Sequence, residues 1–197
     1  MTNPLVLSFD TSAAHVAAAL LCGDEILARR VEEMKRGQAE RLMPLLQEVL
    51  SEGGKSFADL DAVGVGVGPG NFTGIRISVS AARGLTLGLG IPAVGVNSFD
   101  AIEAGTTSRL GVVVVPGPRG QGYLRPKEGT PYLASEDKLI DIMQDVPLLP
   151  PKADSLVEQI ARLAAQRYQD SPARPAPLYI KPADAAPPKD PAPVILP

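Results

Sequence analysis

Tryptophan is absent from this chain, cysteine and histidine occur once each, and phenylalanine and tyrosine contribute four residues apiece. With Cys22 as the sole cysteine an intrachain disulfide is excluded, and Cys22 and His15 together cannot supply the four ligands of a structural zinc site. Cys22, a small residue closing an apolar run, is expected to pack rather than react. His15, set among small residues ahead of a strand, is likewise expected to pack rather than catalyse. Nor is there a basic excess: 19 Lys and Arg against 22 Asp and Glu leave a formal charge of −3. Proteins that grip nucleic acid unaided carry positive charge, because phosphate neutralisation supplies most of the affinity; any RNA or DNA is therefore expected to be held through another subunit. No apolar run approaches the roughly 18 residues of a membrane span, and the first ten residues lack the basic start of a signal peptide. A cytoplasmic location without a membrane partner is the expectation.

What is present suits an α/β core. Apolar residues make up 45% of the 197, enough for one substantial core or two lobes sharing an interface. Apolar runs at Leu5–Phe9, Val16–Leu21 and Ile26–Val31, the last two split by Gly23-Asp24, predict an antiparallel meander. Over Gln38–Glu52 the period changes: Leu42, Leu45, Leu46, Val49 and Leu50 form one helical stripe, stopped by Gly53-Gly54. Pro44 requires either that the regular helix start near Arg41 or that it kink. Ser56–Asp59 resembles a capping pattern ahead of a strand over Ala62–Val67. A glycine-rich turn, a helix to about Gly88, a strand over Ala93–Val96 and a helix over Phe99–Ala104, capped by Asn97-Ser98, follow. The order β-β-β-α-β-α-β-α predicts a mixed sheet with helices on both faces, the order of the ribonuclease-H-like core.

Beyond Leu110 the pattern thins. Val112–Val115, Tyr123-Leu124 and Tyr132-Leu133 are strand candidates, and Leu139–Met143 and Leu156–Tyr168 are helix candidates. From Pro172 onward nine of the 20 prolines crowd into the last 26 residues, which predicts an extended surface path. The expected division is an N-terminal lobe over 1–106, a reduced second lobe over 107–171 and a proline-rich tail over 172–197.

Two segments are candidates for chemistry. Asp10-Thr11-Ser12 ends the first strand, where a carboxylate beside hydroxyls suits a Mg²⁺-phosphate complex, or equally a self-bonded turn. Gly68 to Arg76 reads GPGNFTGIR and opens a helix, so its backbone N–H groups could cradle an anion. Phosphate contacts would then fall on Asp10, Thr11, Ser12, Gly68, Gly70 and Thr73. The segment is neither a Walker loop, having no Lys-Ser/Thr after its last glycine, nor the dinucleotide motif, since no β-α-β unit begins the chain. The alternative is that its glycines serve close packing. Gly74, Ser78 and Ala82 recur four apart, as do Gly84 and Gly88, giving the helix two small-residue faces. With the Leu42–Leu50 stripe they suggest a subunit interface over Leu42, Leu45, Leu46, Val49, Gly74, Arg76, Ser78 and Ala82. No catalytic triad, Cys-His pair, metal cluster or second phosphate loop is visible. Close packing at a subunit contact is therefore the favoured role of the loop, and anion binding the lesser one.

The runs Leu5–Ser12, Gly66–Ile77 and Ala82–Leu85, with Ile91–Ser98 and Pro177–Ala185, resemble the TsaB (YeaZ) family of Gcp-like proteins, most strongly over residues 4 to 104. The resemblance implies an actin-like ATPase (ASKHA) fold and a part in forming threonylcarbamoyladenosine in tRNA. It implies a non-catalytic subunit that pairs through N-terminal-lobe helices with a TsaD-type paralogue, joined by a TsaE-type ATPase. Contact with tRNA would run only through that complex, the free chain could form a homodimer, and cofactors would be limited to weak ATP or ADP. The sequence departs from the family at Asn71 (usually Ser), at Gln38 (a common His), and at Pro116-Gly117-Pro118-Arg119 (usually Asp-Ala-Arg). An ATP-dependent small-molecule kinase of the same superfamily is the competing expectation; a metalloprotease is disfavoured by the missing metal ligands.

Overall fold

A computed structural model of the chain describes residues 3–106, 112–145, 152–170 and 172–180. Strands β1 (Leu5–Asp10), β2 (His15–Cys22) and β3 (Glu25–Glu33) form the expected antiparallel meander, and β4 (Ala62–Gly66) and β5 (Ala93–Val96) extend it by parallel pairing. The sheet order is β3-β2-β1-β4-β5. Helices α1 (Gln38–Glu52) and α2 (Phe72–Leu89) lie over one face, and α5 (Ala153–Arg167) lies over the other; α3 (Ser98–Ala104) follows β5. A second, three-stranded antiparallel sheet consists of β6 (Val112–Pro116), β7 (Gly122–Pro126) and β8 (Tyr132–Ala134), followed by α4 (Glu136–Asp145). This is the mixed α/β architecture expected, with helices on both faces of its main sheet.

Alternation decides which residue faces which layer. Leu5, Leu7 and Phe9 of β1 and Val63 and Val65 of β4 enter the core beneath α1 and α2. The intervening Val6 joins the core under α5, and on that side Ser8 Oγ donates to the Val157 carbonyl of α5 at 2.7 Å. The glycines of β4 also face α5. A Cβ on Gly64 would lie 2.9 Å from that of Ala164 and 3.1 Å from the Ile160 carbonyl, so glycine lets α5 press onto the sheet.

Three expectations are corrected here. The division at 106/107 does not follow the packing, because α5, assigned to the second lobe, covers β1, β2 and β4 of the first sheet. An open sheet with apolar side chains on both faces requires a helix on each, and α5 is the one available. The regular helix does not start near Arg41 but runs from Gln38, with Pro44 inside it; Pro44 and Glu40 are exposed, so water can serve the Glu40 carbonyl that loses its donor. The segment 172–180, although extended, is more than a surface tail. The Leu178 N–H donates to the Val67 carbonyl at 2.8 Å, Arg83 Nε donates to the Pro175 carbonyl at 2.7 Å, and Leu178 packs against both the first core and the second sheet. It acts as a strap between the two sheets. The tail from 181 to 197 lies outside the described residues.

Candidate functional site

The two sequence candidates meet at the C-terminal end of β1. Thr11 Oγ1 donates to the Gly74 carbonyl at 2.6 Å, and the Asn71 N–H donates to the Ser12 carbonyl at 2.6 Å. The loop thus lies flat on the β1 turn, and its glycines explain how. A Cβ on Gly70 would overlap the Ser12 carbonyl, and one on Gly74 the Thr11 carbonyl. Gly68, at φ 91°, adopts a left-handed conformation that side chains disfavour. Asn71 caps α2, its Oδ1 accepting from the Gly74 N–H at 2.8 Å. The Gly68–Pro69 peptide is cis.

Asp10 lies one layer deeper and is wholly buried. Its Oδ1 accepts from the Ser12 N–H at 3.0 Å and from Ser12 Oγ at 2.9 Å, and it meets His15 Nε2 at 2.9 Å. Its Oδ2 has no hydrogen-bond partner among the described residues. That oxygen occupies the space a Cβ on Gly66 would need; the Val-Gly alternation of β4 therefore serves α5 at Gly64 and a carboxylate at Gly66. The His15 contact lay outside the sequence reading. Antiparallel pairing of Asp10 with Ala17 brings His15 back over the strand end, and only the tight 11–14 turn hinted at it.

An open cleft of about 920 Å³ lies above this floor, with walls that include Ser12, Gly70, Asn71 and Phe72, Lys35 and Gln38, the β6–β7 tip at Pro116–Arg119, and the strap at Leu178–Ile180. Of the six expected phosphate residues only Ser12 and Gly70 line it; Asp10, Thr11 and Gly68 are buried beneath, and Thr73 is exposed outside it. On the rim Phe72 stacks on Tyr179 with centroids 4.8 Å apart, and Arg76 covers Phe72 at 3.9 Å while donating from Nε to the Tyr179 hydroxyl at 2.9 Å. Lys35, Arg119 and Tyr179 were not among the sequence candidates. The departure from the family pattern at 116–119 pointed toward Arg119, and the run Pro177–Ala185 contains Tyr179.

The expected interface is corrected. Leu42, Leu45, Leu46 and Val49 are at most 1% exposed and face the sheet. Gly74, Ser78 and Ala82 form the inner side of α2, where Ser78 Oγ donates to the Gly66 and Ile75 carbonyls, each at 3.1 Å. Only Arg76 of the eight is exposed. An apolar stripe on a helix over a sheet goes first to the sheet. The second small-residue face is the free one: Ser80, Gly84, Leu87 and Gly88 are exposed, Leu87 by 80%, and a Cβ on Gly84 or Gly88 would meet nothing within 4 Å.

Topology and the glycine loop on the β1 turn define a ribonuclease-H-like, actin-like α/β protein. A family model described as "TsaD: tRNA N6-adenosine threonylcarbamoyltransferase" matches residues 25–170. An uncharacterized protein of Mycobacterium tuberculosis is 32% identical over 201 residues, covering 92% of this chain and 94% of the relative. The tRNA threonylcarbamoyladenosine biosynthesis protein TsaB of Escherichia coli is 33% identical over 110 residues, 56% of this chain and 47% of that protein, so the chain spans about half the length of that relative. The solved YeaZ of Pseudomonas aeruginosa shares the fold, with TM-score 0.66, 22% identity and coverage of 89% and 99%. The chain belongs to the TsaB/TsaD family of Gcp-like proteins. Among the described residues no helix is long and apolar enough to cross a membrane.

Proposed function

We propose that this chain serves in threonylcarbamoyladenosine formation on tRNA as a non-catalytic subunit, pairing with a TsaD-type paralogue. The observation that carries this reading is the fate of Asp10: the carboxylate at the strand end is fully buried, and Ser12 and His15 hold one of its oxygens beneath the cleft. A group so placed organises the turn and leaves metal and phosphate chemistry to the partner. The exposed α2 face of Ser80, Gly84, Leu87 and Gly88 supports the pairing, since small residues let a second helix approach closely around one apolar anchor. The same face accounts for a homodimer when the partner is absent. A TsaE-type ATPase would join the pair, and tRNA would be held by the assembly, in keeping with the net charge of −3.

Co-purification of the full chain with the TsaD-type paralogue tests this. Leu87→Asp is expected to abolish the complex with the melting temperature of the free chain unchanged. Retention of the complex overturns the pairing face, and transfer of threonylcarbamoyl to tRNA by the isolated chain overturns the non-catalytic role. The interlobe cleft of about 920 Å³ favours a second reading, an ATP-dependent small-molecule kinase. That reading requires magnesium-dependent ATP binding in the micromolar range, which calorimetry measures directly.

A further inference from the structure

We propose that the strap over residues 172–180 is a displaceable clamp on α2, and that the paralogue's pairing helix lifts it by bringing carboxylates to Arg76 and Arg83. The inference rests on the pairing role and adds to it the chemistry of the partner surface. Arg76, Ser80, Arg83 and Leu87 stand at i, i+4, i+7 and i+11, so they form one stripe along the helix, and all four are exposed. The strap is fastened to that stripe. Arg76 Nε donates to the Tyr179 hydroxyl at 2.9 Å, and its guanidinium lies 3.9 Å from the centroid of the Phe72 ring, itself stacked on Tyr179. Two turns further along, Arg83 Nε donates to the Pro175 carbonyl at 2.7 Å. Leu87, the apolar anchor of the pairing face, therefore shares its stripe with the groups that hold the strap.

Both acceptors on the strap are neutral. Arg29, Arg30, Arg41, Arg125 and Arg167, by contrast, each meet a carboxylate. A hydrogen bond to an ionised acceptor is roughly twice as strong as one to a neutral oxygen, and a guanidinium can take a carboxylate through two parallel bonds. A partner helix with carboxylates seven residues apart, about 10 Å along its axis, therefore wins both arginines from the strap. The approach is open. A Cβ on Gly84 would meet nothing within 4 Å, and a groove of about 410 Å³ between α2 and the strap is lined by Arg83, Leu87, Pro172 and Pro175 among others. A second copy of this chain would set arginines against arginines, so the acid-bearing paralogue is the occupant. The effect reaches beyond α2, because Leu178 and Ile180 of the strap pack against the second sheet.

The test measures amide hydrogen exchange and affinity on the full chain, free and with the TsaD-type paralogue. In the complex the Leu178 N–H, bonded to the Val67 carbonyl in the free chain, should exchange about tenfold faster. The two ends of the Arg76–Tyr179 contact should shift affinity in opposite directions. Arg76→Gln should weaken the complex about tenfold, the usual worth of one charged hydrogen bond. Tyr179→Ala should tighten it about fivefold, because the cost of lifting the strap is already removed. Tyr179→Phe, which keeps the stack, should fall between Tyr179→Ala and the parent chain. A strap that only stabilises the fold gives no such gain. Complex formation with unchanged or slower Leu178 exchange overturns the clamp and leaves the pairing intact, as does weakening by Tyr179→Ala. Failure to form a complex removes the pairing and this inference with it. Dimerisation of the free chain with the same faster exchange would assign the stripe to a second copy and overturn the paralogue as its occupant. Circular dichroism of the variants guards against loss of fold, and both substituted positions are exposed.

Discussion

Helix α2 carries two faces of nearly the same composition and opposite fate. Gly74, Ser78 and Ala82 lie against the β1 turn and the end of β4, so closely that a methyl group at Gly74 overlaps a backbone carbonyl. Gly84, Leu87 and Gly88 meet no such obstacle and stand in solvent. Small residues at four-residue spacing therefore mean close approach in the first case and an unoccupied surface in the second. Helix α1 repeats the contrast: its leucines are buried under the sheet, while its outer edge carries Arg41 and Glu48. Spacing alone does not distinguish the two uses; the layer opposite the helix does.

The largest effect should come from placing charge on the inner side. Leu46→Asp buries an unpartnered carboxylate in a position with no measurable exposure, and about 4–5 kcal/mol of destabilisation is expected, enough to prevent recovery of soluble folded chain. If Leu46→Asp folds normally and merely loses partner binding, the stripe is an interface after all. Gly74→Ala comes next. The added methyl must displace the Thr11 backbone, at a cost of about 2–3 kcal/mol, measured as a loss of urea-unfolding free energy.

Gly84→Ala reverses the sign. Nothing lies within 4 Å of the new methyl, and alanine is favoured over glycine inside a helix by about 1 kcal/mol, so the free chain should become more stable in the same urea experiment. Opposite signs for one chemical change at two positions of one helix would make the contrast quantitative. Equal signs would erase it.

Why the inner face was mistaken for the outer is instructive about what local pattern encodes. The meander, the parallel additions β4 and β5, and the cap at Asn97 were all legible, because each depends on residues near in sequence. The Val-Gly alternation of β4 announced close approach without saying of what. The answer, α5 at Gly64 and Asp10 at Gly66, comes from residues 100 positions later and 56 earlier in the chain, respectively. The same holds for the cleft. Ser12 and Gly70 were legible from the loop, whereas Lys35, Arg119 and Tyr179 reach it from the β3–α1 connection, the hairpin tip and the strap, whose convergence is tertiary.

The smallest expected effect tests the outer edge of α1, where Arg41 Nη2 donates to Glu32 Oε1 at 2.6 Å and to Glu48 Oε2 at 2.7 Å. The hydrogen bonds from Arg41 hold both carboxyls below their ordinary value of 4.5, against the opposing effect of burial. A carboxyl whose folded value is depressed binds its proton more readily in the unfolded chain. Its stabilisation is therefore present above about 4.5 and lost as the pH falls through the folded value. Arg41→Gln removes the cause at both partners. Its urea midpoint should lie slightly below that of the parent chain at pH 7, by less than the Gly84→Ala gain, since exposed ion pairs contribute little. The gap should close as the pH is lowered past 4.5. A gap that persists at low pH would mean that Arg41 acts by packing its aliphatic stem rather than by charge, and that the outer edge, like the inner stripe, is held by burial.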